Sequence, residues 1–116
     1  MRTLKDVPHI PHRIVRIVQQ FAAESKRLLH ENVQAEYLFG SYATNRQTPL
    51  SDIDIVILVK TLTPEIRKQL SGLASEYSLE HDVYISPILK DLRVWNENKT
   101  YNTLFYQEVT EHGVPL

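Results

Sequence analysis

From Ser51 to Val59 the chain reads Ser-Asp-Ile-Asp-Ile-Val-Ile-Leu-Val, and no other stretch limits the possible folds as tightly. After its acidic start the run is almost unbroken in apolar, largely β-branched residues. A strand with one wet face would alternate polar and apolar side chains. This one does not, so it predicts a central strand covered by helices on both faces.

The sequence supplies such covers. Between Pro11 and about Asn32, Ile14, Ile17, Val18, Phe21, Ala22, Ser25, Leu28 and Leu29 recur near helical spacing, with Arg13, Arg16, Gln20, Glu24 and Lys26 largely between them, as in an amphipathic helix. Thr63, Pro64 and Glu65 predict an N-cap, a first-turn proline and an acid at the positive helix end. Ile66, Leu70, Leu73, Ala74 and Tyr77 continue that helix to about Ser78. Ala35–Phe39, stopped by Gly40, reads as a second strand. Asp82–Ser86 reads as a third, bounded by Pro87. Ile88 to Asn102 supports only a short helix, and Thr103 to His112 predicts a closing helix with Gly113 at C′. The order is αβ(α)βαβ(α), an α/β (α+β) class. At 116 residues, with 42% hydrophobic and 23% charged residues, it suits one domain spanning 1–116.

The chemistry gathers at the start of the apolar strand. Asp52 and Asp54 are two apart, so their carboxylates share one face. Two like charges this close raise the cost of ionising both unless a cation sits between them. With no cysteine in the chain, oxygen and imidazole groups are the available metal ligands, and a carboxylate pair favours magnesium. An Asp-x-Asp pair alone arises by chance in roughly one chain in four of this length. Gly40-Ser41 lies ten residues upstream of Asp52, and all four residues at fixed spacing arise by chance in about one chain in a thousand. A glycine lets backbone approach a phosphate, and a serine hydroxyl with the N–H groups of a following helical turn can hold the anion. Asp82, at the start of the expected third strand, is the candidate third carboxylate. Glu80 competes, but Val83 and Ile85 can fill the core face and leave Asp82 aligned with Tyr84. Two acids on metal, with a third helping to ligate it and to deprotonate a hydroxyl, suit nucleotidyl transfer.

Leu38-Phe39-Gly40-Ser41-Tyr42-Ala43 followed by Ser51-Asp52-Ile53-Asp54-Ile55-Val56 resembles the minimal nucleotidyltransferases of the DNA polymerase β superfamily. The likeness extends over Ala35 to Ile85 and more weakly from Phe105 to Val114. It implies a nucleotidyltransferase fold, a small mixed sheet flanked by helices. It also implies triphosphate on Gly40 and Ser41, and one or two magnesium ions on Asp52, Asp54 and Asp82. Many such proteins are antitoxins that transfer AMP from ATP to a tyrosine of a HEPN ribonuclease toxin, so the resemblance implies a hetero-oligomer with that partner. The family commonly carries Arg-Gly after the alanine matched by Ala43. Thr44-Asn45-Arg46 follows here, and Arg46 is the candidate to supply the guanidinium from a shifted position.

Two other functions fit the same residues: an antitoxin that neutralises its partner by binding alone, and a small-molecule adenylyltransferase. The second would need an embracing domain for which the chain is short. A net charge of −1 gives no field to hold a polyanion, and Trp95 lacks the basic and aromatic neighbours of a base-stacking groove, so direct nucleic-acid binding is not expected. His12, Arg13 and Arg16 read as a solvated helix face, and His81 points away from its neighbour Asp82. Met1–Asp6 lacks the apolar core of a secretion signal, no run is long enough to span a membrane, and a cytoplasmic location is expected.

Overall fold

A computed structural model describes residues 3–116; Met1 and Arg2, part of the segment read as lacking a secretion signal, lie outside the described residues. Helix α1, His12–Leu29, starts after Pro11 as N-cap and passes through a 3-10 turn into strand β1, Val33–Phe39. A single helical turn, α2 (Gly40–Ala43), leads to a loop and strand β2, Ile53–Val59. Helix α3, Pro64–His81, strand β3, Ile85–Asp91, helices α4, Leu92–Thr100, and α5, Leu104–His112, and the two-residue strand β4, Val114–Pro115, complete the chain.

The sheet order is β3-β2-β1-β4, with β2 antiparallel to β1 and parallel to β3. The apolar run forms a central strand, as its composition demands. Ile53, Ile55, Ile57 and Val59 are buried in the core that α1 and α3 close. Val56 and Leu58 point oppositely, into a smaller core with Val109 under α4 and α5. Phe21 ties the larger layer together, fully buried with its ring edge-on to Tyr77 at 5.5 Å, while Tyr77 Oη donates to Glu24 at 2.8 Å. Thr63 caps α3 as expected, its Oγ1 accepting from the Ile66 N–H at 3.1 Å.

Two expectations are corrected. The third strand is Ile85–Asp91, not Asp82–Ser86, and Pro87 lies inside it instead of ending it. Ile53 N–H donates to Tyr84 O at 2.8 Å, a phase that aims the backbone of residues 84, 86 and 88 at β2 and turns the nitrogen of Pro87 outward. Among the described residues β3 has no neighbour on that side, so the missing N–H breaks no ladder bond. The short helix expected in the weakly patterned segment after it is α4, started by Asp91, whose Oδ1 accepts from the Val94 N–H at 2.8 Å. Gly113 ends α5 in extended conformation, φ −60°, because the chain turns directly into β4 against β1.

Candidate active site

The site begins at the turn leaving β1. Phe39 is still extended, and Gly40 takes φ +70°, a left-handed value that only glycine adopts freely. This conformation swings the chain into α2 and brings the Gly40 backbone against β2. A Cβ built on Gly40 would collide with Asp54 Oδ2 and come within 3.3 Å of its Cγ. Phe39 pairs with Asp54 across the ladder, so the glycine-serine turn and the second aspartate of Asp-x-Asp are immediate neighbours.

Asp52 lies just before β2 and is exposed, whereas Asp54 is half-buried. Burial pushes the Asp54 carboxyl above its ordinary range, and the negative charge of Asp52 pushes it further. The site therefore disfavours two bare carboxylates side by side, and a divalent cation would relieve that cost. Ser41 opens the helical turn and is part-exposed. Asn45 takes φ 59°, returning the chain so that Arg46 N–H donates to Ser41 O at 2.9 Å. The exposed Arg46 thus starts from beside the glycine-serine turn, three positions past the alanine.

Asp82 does not join this group. It is the C-cap of α3 at φ 52°, ψ 48°, a left-handed conformation that aspartate tolerates better than most residues, and it lies three residues ahead of β3. Among the described residues, no three His, Cys, Asp or Glu side chains gather where they could hold a metal ion. The charge acting on Asp54 is that of Asp52. The residue paired with Asp54 on β3 is Ser86, a hydroxyl. The displacement follows from the misread strand: with Pro87 taken as a boundary, the strand starts three residues early.

A brace on the turn escaped the sequence reading. His9 Nε2 bonds Tyr42 O at 2.7 Å, and Gln47 Nε2 donates to His9 O at 3.1 Å. Thr44 Oγ1 donates to Gly40 O at 3.2 Å. His9 and Tyr42 are 33 residues apart, and no local pattern announces such a contact.

The family model for polymerase beta nucleotidyltransferases matches residues 22–116. A protein of Methanocaldococcus jannaschii named as a protein adenylyltransferase is 35% identical over 104 residues, covering 89% of this chain and 98% of its own. A second of that name from the same organism is 31% identical over 81 residues, 66% of this chain and 54% of its own. Among solved structures, a toxin-antitoxin complex with AMP-PNP superposes with a TM-score of 0.57 at 28% identity, over 84% of this chain and 70% of that one. A tri-AMPylated Shewanella oneidensis HEPN toxin in complex with MNT antitoxin gives a TM-score of 0.52 at 25% identity, over 89% and 70%. A toxin-antitoxin variant with aspartate-to-glutamate changes at two positions two residues apart gives 0.56 at 26%, over 84% and 70%.

Proposed function

The chain belongs to the polymerase beta nucleotidyltransferase family, and from that premise we propose that it moves AMP from ATP to a tyrosine hydroxyl of a HEPN-type toxin partner, acting as its antitoxin. The observation that carries the reading is the contact between Gly40 and Asp54, which puts a phosphate-binding turn and an acidic pair in one place. Ser41 and the N–H groups of α2 would hold the triphosphate, with Arg46 reaching it from the following loop. The AMP-PNP and AMPylated-toxin complexes support the donor and the acceptor class.

Asp52 and Asp54 fit a magnesium ion: two carboxylates, one of them raised in pKa by burial and by the charge of the other. Bound there, the ion would neutralise charge on the triphosphate and the departing pyrophosphate. The pair of paired aspartates altered in the toxin-antitoxin variant has the same spacing. Asp82, at the α3 C-cap three residues ahead of β3, is given no role in this reading. Among the described residues no helix is long and apolar enough to cross a membrane. Use of ATP favours the cytoplasm.

The test is transfer from labelled ATP, with magnesium, to a HEPN-type partner encoded beside this chain, the class seen in the AMPylated-toxin complex. Wild type should label a tyrosine, and Asp52→Asn with Asp54→Asn should cut the rate by about 100-fold or more. Neutralisation of the partner that survives this double change at full strength would instead favour an antitoxin working by binding alone.

A further inference from the structure

The parallel ladder between β2 and β3 brings the backbone of Tyr84 to the end of β2 that carries Asp52 and Asp54. Ile53 pairs with Ile85, and the last bond of the ladder runs from Ile53 N–H to Tyr84 O at 2.8 Å, so Tyr84 falls beside Asp52 one step further out. Neighbouring strands are about 5 Å apart, well within the reach of a tyrosine side chain. Ile53 and Ile85 are buried in the larger core, 0% and 3% exposed. Alternation then directs residues 52 and 84 to the other face, which carries Asp54 and Ser86. Tyr84 is 63% exposed, too open for a core tyrosine, and among the described residues its hydroxyl makes no hydrogen bond.

We propose that Tyr84 is an AMP acceptor in this chain's own transfer reaction, a self-modification site beside the Asp52–Asp54 edge. The inference rests on the proposed function, since it needs AMP transfer to a phenolic hydroxyl. In the step, Tyr84 Oη forms a bond to the α-phosphorus of ATP and the bond from that phosphorus to the bridging oxygen breaks. Pyrophosphate leaves with the bond's electron pair, and the phenolic proton passes to water, to which Tyr84 is open.

Tyr101 is the internal control. It is more exposed, at 79%, but stands on the corner between α4 and α5 and is not a ladder neighbour of Asp52. Exposure alone would favour Tyr101, whereas register favours Tyr84. Purified protein is incubated with labelled ATP and magnesium, with and without the co-encoded partner, and modified peptides are mapped by mass spectrometry. The protein as isolated from ATP-containing cells is mapped in parallel, a readout independent of added nucleotide. The expected result is AMP on Tyr84 in both samples, lost in Tyr84→Phe and in Asp52→Asn with Asp54→Asn, with Tyr84→Phe still labelling the partner. A labelled partner with an unmodified Tyr84 overturns this inference and leaves the transfer function standing. Label on Tyr101 in place of Tyr84 also overturns it, and absence of label from both proteins overturns the two readings together.

Discussion

At the scale of single residues, Gly40 and Asp54 are matched by shape and by charge. Gly40→Ala imposes a side chain at φ +70°, costing about 1–2 kcal/mol from backbone conformation alone, and drives its methyl into the Asp54 carboxylate. The expected outcome is a lower melting temperature together with at least a tenfold loss of transfer, read by thermal unfolding and by labelled ATP. Asp54→Asn should separate these two effects. Because burial and Asp52 raise the folded-state pKa of Asp54, its ionised form opposes folding, and stability falls as pH rises above the unfolded value of 3.8. The amide removes that charge. At pH 7 without metal the variant should melt higher than wild type while losing transfer, and added magnesium should raise the melting temperature of wild type only.

At the scale of elements, β1 carries a titration that is independent of the site. Glu36 faces α1, 2% exposed, accepting from Ser25 Oγ at 2.6 Å through Oε2, while Oε1 has no partner among the described residues. Desolvation pushes its carboxyl up from 4.5 to about 7, against the opposing pull of Ser25 and Lys26. The folded chain therefore keeps this proton to higher pH than the unfolded chain. Stability should drop by up to about 3 kcal/mol between pH 4.5 and 7 from this group. Urea unfolding at pH 5 and pH 8 should show the difference in wild type, and Glu36→Gln should flatten it. Helix α4 hangs on its cap: Asp91→Ala should cost about 1 kcal/mol by the same measurement. Elements also differ in how far local sequence reveals them. The spacing of α1 and α3 and the composition of β2 each follow from residues close together in the chain. β3 and α4 do not, since whether Pro87 ends a strand depends on whether anything pairs with its outer edge.

At the scale of the whole molecule, the sheet with helices on both faces makes the larger core the main source of stability. Phe21→Ala, at the junction of α1, α3 and the sheet, should cost about 3–5 kcal/mol, a large fraction of the 5–15 kcal/mol typical of a whole domain. Thermal or urea unfolding measures it, and partial unfolding at 37 °C would follow in a chain at the lower end of that range. The helices of the larger layer, the central strand and the two ends of the candidate site, Gly40-Ser41 and Asp52-x-Asp54, are legible in the sequence alone. Those signals are carried by neighbouring residues, through backbone freedom, side-chain alternation and the cost of leaving apolar surface in water. Only the tertiary structure decided that Asp82 caps a helix, that Ser86 stands opposite Asp54, that His9 braces Tyr42 and that β4 closes the sheet. Each of those depends on which strand lies beside which and in what register, a choice made by packing between segments distant in the chain.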